Sequence, residues 1–219
     1  MSKLGIKKNT RSNAITYLIV IVAFVLFTIL SNGGVLGRKT VGLLVPACCY
    51  IVMAISLNLT VGILGELSLG HAGFMSVGAF AGVVASTGLS STITSAPLRL
   101  AVAMVIGALF AAIAGFLIGI PVLRLRGDYL AIVTLAFGEI IKEIISCLIV
   151  GTDEKGLHIV FNYNGAKTVD DLGLTPTGTA IIKGAQGATG TQTIASFTAG
   201  FVLIMVALVI VLNFVNSRS

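Results

Sequence analysis

Charged side chains are scarce in this sequence: Asp, Glu, Lys and Arg together make up 10% of its 219 residues. A soluble domain carries about 25% charged residues, whereas hydrophobic residues reach 56% here. A chain of this composition lacks the polar surface that a water-soluble protein needs. We therefore predict an integral membrane protein.

Several chemical signatures are also missing. The three cysteines, Cys48, Cys49 and Cys147, show neither zinc-ligand spacing nor the pattern of a disulfide framework. The phosphate-binding pattern Gly-x-x-x-x-Gly-Lys-Ser/Thr does not occur, which excludes ATP hydrolysis by that route. We therefore predict no enzyme activity, no metal site, no cofactor and no nucleic-acid partner.

Long apolar runs are what the sequence does contain. A membrane-spanning helix needs about 20 mainly apolar residues. The predicted fold is therefore all-α, with about six transmembrane helices, and the first of them is expected to be a retained anchor rather than a signal peptide. The predicted spans are residues 14–30, 41–61, 67–85, 98–120, 130–150 and 194–215.

Basic residues predict the orientation, because Lys and Arg are enriched in cytoplasmic segments. Four of them precede the first span, which favours a cytoplasmic N-terminus in the cell membrane. Counting crossings then puts Arg124 and Arg126 inside, although Arg38, Lys39 and Arg99 fall outside. The predicted layout is a cytoplasmic tail (1–13), a five-span core (14–150), an extracytoplasmic loop (151–193), and a sixth span with a truncated end (194–219). The mixed charge of the loop suits docking of a soluble partner or a solvated linker.

Glycines cluster between residues 62 and 82, where six of 21 residues are glycine and Glu66, Ser68 and His71 lie among them. Ser68 and His71 would share a face if this segment were helical. Glycines permit close helix contacts or an unwound stretch that lines a cavity. We predict a broken or re-entrant element near residues 62–73, which serves either as a structural turn or as part of a translocation path.

A charge cluster lies inside the fifth apolar segment. Glu139, Lys142 and Glu143 are spaced at i, i+3 and i+4 and therefore share one helix face. Each charge costs about 2.5 to 3.5 kcal/mol at the centre of a membrane helix. This face therefore needs a polar partner or water and cannot be surrounded by lipid. Either the charges pair within a bundle, with a structural Glu139–Lys142 pair, or they contact substrate, or Gly138 breaks the helix and lets them reach an interface.

Residues 123–129 read Leu-Arg-Leu-Arg-Gly-Asp-Tyr, a charged turn between two apolar runs. With its flanks (Ile120-Pro-Val before it, Leu-Ala-Ile-Val-Thr-Leu-Ala-Phe-Gly-Glu-Ile-Ile-Lys142 after it), it resembles a signature of the membrane permeases of branched-chain amino acid ABC importers. The glycine-rich Leu-Ser-Leu-Gly-His-Ala-Gly-Phe at 67–74 and Leu-Asn-Leu-Thr-Val-Gly at 57–62 resemble the same family. The candidate translocation path, in and just before the glycine-rich segment, is Asn58, Glu66, Ser68, Gly70 and His71. The candidate cytoplasmic turn, which the count of crossings puts inside, is Arg124, Arg126, Gly127 and Asp128.

The resemblance implies the partners of such an importer. These are a second permease subunit, two cytoplasmic ATPase subunits and an extracytoplasmic binding protein that delivers Leu, Ile or Val. Two departures stand out: Gly-Thr-Asp-Glu-Lys-Gly-Leu at 151–157 replaces a glycine-rich turn, and the family continues beyond residue 219 into the loop that engages the ATPase. The alternatives are a non-transporting truncated remnant or accessory subunit, and a permease for another small solute such as urea or an amide.

Overall fold

Six α-helices and one small β-sheet make up the described part of the chain in a computed structural model of the protein. The structure describes residues 2–34, 36–66, 68–122, 124–125, 127–154, 156–176, 178–189, 191 and 193–217, with backbone alone for residues 2–12, 64, 216 and 217. The elements are α1 (Ser2–Asn32), α2 (Arg38–Asn58), α3 (His71–Gly88), α4 (Ala96–Val122), α5 (Asp128–Ser146), β1 (Leu148–Asp153), β2 (Gly156–Phe161), β3 (Thr179–Lys183) and α6 (Phe197–Ser217).

Within the described part of the chain, four helical segments are long and apolar enough to cross a membrane. Helix α5 falls outside this set because it carries several charged residues, and α3 because His71, its glycines and its hydroxyl residues lower its mean hydropathy. The prediction of a helical membrane protein is confirmed, while membrane crossing by α3 and α5 stays a prediction. The four segments are Asn13–Asn32, Arg38–Ile63, Ala96–Val122 and Phe197–Val215.

The chain divides into two compact units, the first formed by Met1–Leu59 and Ala195–Ser219. In this unit Cys48 of α2 is buried with Ile204 and Leu208 of α6. Gly200 allows the close contact, because a Cβ at this position would lie 2.8 Å from the Cβ of Cys48. Phe24 of α1 stacks on Phe197 and Phe201 of α6. Cys48 therefore packs as a small apolar side chain, and all three cysteines are free thiols.

The second unit, Thr60–Ile194, is built on α3, α4 and α5. Glycines bring α3 and α4 into backbone contact: a Cβ on Gly107 would lie 2.5 Å from the carbonyl oxygen of Gly78, and a Cβ on Gly82 would lie 3.3 Å from that of Ala103. The order of these pairs makes α3 and α4 antiparallel. Gly78–Gly82, which has the pattern Gly-x-x-x-Gly, is thus a helix-packing motif. Gly115–Gly119 of α4 has the same pattern, but a Cβ on Gly115 or Gly119 would meet nothing within 4 Å.

The predicted broken element is confirmed. After α2 the chain forms a π-helical turn, Leu59–Leu64, and the described residues between this turn and His71, which starts α3, are not helical. Gly65 has φ +72°, a conformation that glycine adopts at little cost. Because Ser68 precedes the helix, the condition under which Ser68 and His71 would share a helical face is not met, and the predicted segment 67–85 is helical only from residue 71.

The sheet was not expected from the sequence. Its strand order is β2-β1-β3 and both pairings are antiparallel. Helix α5 ends at Ser146 and β1 starts at Leu148, so the predicted helical segment 130–150 extends too far. Val150, Ile181 and Ile182 are buried against Phe80, Val83 and Val84 of α3. The apolar residues at 148–150 therefore belong to a sheet core, and part of segment 151–193 is folded rather than a bare linker.

Asp153 organises the turn between β1 and β2. Its side chain is fully buried, and its Oδ1 accepts a hydrogen bond from the Gly156 N–H (3.2 Å) and lies 3.1 Å from His158 Nε2. Its Oδ2 accepts a hydrogen bond from the Thr175 N–H at 3.3 Å. One carboxylate therefore connects the hairpin to the segment that leads into β3.

We expect Asp153→Asn to destabilise the protein by about 1 to 2 kcal/mol, because an amide retains a single acceptor oxygen where the carboxylate uses two. The free energy of unfolding of the purified protein in detergent would measure this. Asp170→Asn is the matched control, since Asp170 lies in the same region without a place in this buried network. Equal unfolding free energies for the two variants would contradict the role given to Asp153.

Candidate functional site

The non-helical segment before α3 is attached to α5 through Thr134. The backbone N–H of Leu69 donates a hydrogen bond to Thr134 Oγ1 at 3.1 Å. The Thr134 hydroxyl in turn donates to the carbonyl oxygen of Ala131 at 3.0 Å. Thr134 is a buried polar residue, 6% exposed. It satisfies one of the backbone donors that the interruption of the helix leaves without an intrahelical acceptor.

Two glycines bring this segment and the first turn of α3 close to α5. A Cβ on Gly70 would lie 2.8 Å from the carbonyl oxygen of Thr134, and a Cβ on Gly73 would lie 3.1 Å from the Cα of Gly138. Residue 70 therefore meets residue 134, and residue 73 meets residue 138, so α3 and α5 run in the same direction. Close backbone approach explains the glycines here without invoking unusual dihedral angles, since Gly70 has φ −84°.

The predicted path residues fall in different places. Gly70 is buried, Ser68 and His71 are half-buried, and Glu66 is exposed. His71 begins α3, and its Nδ1 is buried without a hydrogen-bond partner among the residues that the structure describes. Asn58, the last residue of α2, is exposed and belongs to the first unit. The structure thus brings Ser68, Gly70 and His71 together in one segment, while their part in a path stays a prediction.

The charge cluster lies on a continuous helix, because Gly138 does not interrupt α5. Lys142 Nζ forms an ion pair with Glu139 Oε1, as the i, i+3 spacing indicated. Both side chains are largely exposed: 63% for Lys142 and 60% for Glu139. Glu143 is exposed on the same helix. These charges therefore lie on the surface of the second unit and not in its core.

A pocket of about 370 Å³ lies beside this ion pair, between α3, α5 and the turn after β3. Its apolar walls include Leu69, Phe80 and Leu135, and Glu139 and Lys142 line it as well, whereas Glu143 does not. Gly184, at φ +58°, lies in the turn that contacts the end of α5. A Cβ on Gly184 would lie 2.8 Å from the carbonyl oxygen of Ser146, so only glycine fits this contact. The pocket therefore combines an apolar wall with one positive and one negative group.

The charged turn lies at the opposite end of α5. Arg124 and Gly127 are exposed, Gly127 has φ +60°, and Asp128 is the first residue of the helix. An acidic residue at a helix N-terminus interacts favourably with the helix dipole. Arg126, also predicted for this turn, lies outside the described residues. Since α5 has 19 residues and a helix rises about 1.5 Å per residue, the turn and the end near the pocket are about 28 Å apart.

These features define a multi-pass α-helical membrane protein with a broken helix held against its neighbour. A family model described as "Branched-chain amino acid transport system / permease component" matches residues 39–219, and the chain belongs to this family. The resemblance seen in the two signature segments is thereby confirmed.

Two curated relatives carry the same name, high-affinity branched-chain amino acid transport system permease protein LivM. The chain is 43% identical to the Escherichia coli (strain K12) protein over 106 residues and 44% identical to the Salmonella typhimurium (strain LT2) protein over 108 residues. Each match covers 48% of this chain and 23% of the relative, so it spans about a quarter of the relatives' length. Both relatives are named as permeases rather than as enzymes. No solved structure matches the chain.

Proposed function

We propose that this chain is a permease subunit of an ATP-driven importer of branched-chain amino acids. The observation that carries the proposal is the family match, which extends over residues 39–219. The relatives named LivM agree with this substrate class. In the proposed importer a second permease completes the translocation path, two cytoplasmic ATPase subunits supply energy, and an extracytoplasmic binding protein delivers the amino acid.

The exposed charges of α5 support a role at a path or at a subunit contact. Glu139 and Lys142 are exposed on a helix whose surface is otherwise mainly apolar. Contact with lipid would cost about 2.5 to 3.5 kcal/mol for each charge near the membrane centre. Water in a translocation path, or polar groups of a second permease, would remove that cost. This face of α5 is therefore proposed to point towards the path.

The broken segment supports the same proposal. Secondary transporters use interrupted helices to place backbone groups in a solute path, and the non-helical residues before α3 form such an interruption beside Thr134. The candidate path residues Glu66, Ser68, Gly70 and His71 lie in or next to it, and Asn58 precedes it in the chain. Their role in the path is part of the proposal.

The proposed orientation has a cytoplasmic N-terminus in the cell membrane, as the basic residues predict. The antiparallel α3–α4 pair and the parallel α3–α5 pair agree with alternate crossings in that order. The turn at Arg124 and Asp128 would then be cytoplasmic, and the sheet of β1, β2 and β3 would be extracytoplasmic, where the binding protein docks. Residues 14–150 remain the proposed membrane core.

Uptake of labelled leucine tests the proposed function. In cells that contain the other importer subunits but lack this chain, we expect the rate of saturable leucine uptake to fall by about tenfold or more. Expression of the gene that encodes the chain should restore this rate, and isoleucine and valine should inhibit the restored uptake by competition. Leucine uptake that does not depend on the chain would contradict the proposal, and chain-dependent uptake of urea or acetamide would assign the permease to another solute.

A further inference from the structure

The pocket beside the Glu139–Lys142 pair has the composition of a site for a free α-amino acid. Its volume, about 370 Å³, falls at the lower end of the range of about 300 to 1,000 Å³ that is typical of small-molecule sites. Such sites combine mainly apolar walls with a few polar groups that fix the orientation of the ligand. Leu69, Phe80 and Leu135 supply apolar wall here, and Glu139 and Lys142 supply two opposite charges.

The two charges match the two charged groups of a zwitterion. A free amino acid carries an ammonium and a carboxylate on one carbon atom, so its binding site needs an acceptor and a donor of opposite charge close together. Glu139 and Lys142 are close enough to form an ion pair with each other. A zwitterion that binds between them would replace one ion pair by two charge-assisted hydrogen-bonded contacts, which are among the stronger polar interactions in proteins.

The position of the pocket also suits a transient site. Glu139 and Lys142 lie in the second half of α5, near the end at which the sheet begins and far from the turn at Arg124. The turn Gly184–Gln186 covers this end of α5 through the close contact of Gly184 with Ser146. With the proposed orientation, the pocket lies near the extracytoplasmic side, where an imported solute first enters the permease.

We propose that this pocket binds a free aliphatic α-amino acid, with Glu139 contacting the ammonium group, Lys142 contacting the carboxylate, and the Leu69, Phe80 and Leu135 walls contacting the side chain. This site deepens the proposed import function and rests on it for the identity of the substrate. Both charged residues are binding residues in this proposal, and Glu143, which lies outside the pocket lining, is not.

Direct binding to the purified full-length chain in nanodiscs tests the site, with three probes: leucine, 4-methylpentanoate (leucine without its amino group) and 3-methylbutylamine (leucine without its carboxylate). We expect leucine to bind about tenfold or more tightly than either analogue, because a site built for a charged group rejects a ligand that lacks it. Equal affinity for the three probes, or no leucine binding, would overturn the proposal.

Two variants then assign the two contacts. Glu139→Gln should weaken leucine binding by about tenfold while 4-methylpentanoate, which has no ammonium group, binds as well as before or better. Lys142→Gln should weaken leucine binding similarly and leave 3-methylbutylamine unchanged or tighter. Glu143→Gln removes a charge one residue beyond Lys142 and serves as the matched control, with leucine affinity expected to stay within about twofold.

The outcomes separate the site from the proposed function. If cellular leucine uptake depends on the chain but both pocket variants bind all three probes like the wild type, the site is wrong and the import function stands. If leucine uptake does not depend on the chain, the import function fails whatever the probes show. Should the Gln variants fail to fold, the comparison of the three probes on the wild-type chain still decides the proposal.

Discussion

Gly107→Val is expected to separate α3 from α4 and to destabilise the protein by about 3 kcal/mol or more. The first atom of any side chain at residue 107 would lie 2.5 Å from the carbonyl oxygen of Gly78 and 3.5 Å from the backbone nitrogen of Gly82. Backbone atoms cannot move away as the end of a flexible side chain can, so the two helices must shift as a whole. Overpacking of this kind commonly costs about 1 to 3 kcal/mol and occasionally more. Unfolding of the purified protein by denaturant in mixed micelles would measure the loss.

Gly115→Val is the matched control for this experiment. It makes the same substitution in the same helix, at the first glycine of the second Gly-x-x-x-Gly motif. A Cβ at this position would meet nothing within 4 Å. Valine is a somewhat better helix former than glycine, so the control should be unchanged or slightly more stable. If the two variants unfold at the same denaturant concentration, the α3–α4 contact does not depend on Gly107.

These two motifs also show what the sequence could and could not predict. Gly78–Gly82 and Gly115–Gly119 have the same pattern, and a glycine-rich chain produces such matches by chance. The pattern indicates a face on which another helix can approach closely, but it does not predict which helix that is. Gly107 and Ala103, which complete the first contact, form only the more general small-x-x-x-small pattern. A chain rich in glycine and alanine contains this pattern many times, so it does not single them out.

The broken element was predictable because its cause is local. Six glycines in residues 62–82, with polar residues among them, make an uninterrupted lipid-facing helix unfavourable. The residue that holds the element, Thr134, gave no comparable signal. A single threonine in an apolar helix commonly bonds to its own helix, as Thr134 does with Ala131. Its second bond, to Leu69, joins residues 65 positions apart, and no local pattern encodes that pairing.

The sheet was missed for a related reason. A short apolar run has the same pattern in a buried strand and in a buried helix segment, so the sequence predicts residues 148–150 as a continuation of the fifth helix. Their pairing with β2 and β3 depends on residues 156–161 and 179–183. The pocket depends on the same long-range arrangement, since Gly184 lines it after β3. The charged residues of the candidate site were therefore predictable, but the cavity beside them was not.

Gly70→Ala is expected to destabilise the protein by about 2 to 3 kcal/mol, even though the added group is a single methyl. The backbone of Gly70 lies at φ −84° and ψ −1°, which alanine tolerates, so any loss must come from contacts. The new Cβ would lie 2.8 Å from the carbonyl oxygen of Thr134 and 3.3 Å from its Cβ. Relief of this overlap requires the segment to move away from α5, which lengthens the hydrogen bond from Leu69 to Thr134 Oγ1 and leaves a buried hydroxyl poorly paired.

Gly138→Ala tests the same contact from the other helix. A Cβ on Gly138 would lie 3.7 Å from the Cα of Gly70, an ordinary van der Waals distance, and alanine is a better helix former than glycine by about 1 kcal/mol. We therefore expect Gly138→Ala to match or exceed the wild type in unfolding free energy, while Gly70→Ala falls below it. If both variants lose stability equally, general crowding between α3 and α5 would explain the result, and the specific contact of Gly70 with Thr134 would not. If only Gly70→Ala has a lower free energy of unfolding than the wild type, the interrupted helix is held in place by a close backbone contact that only glycine at residue 70 permits.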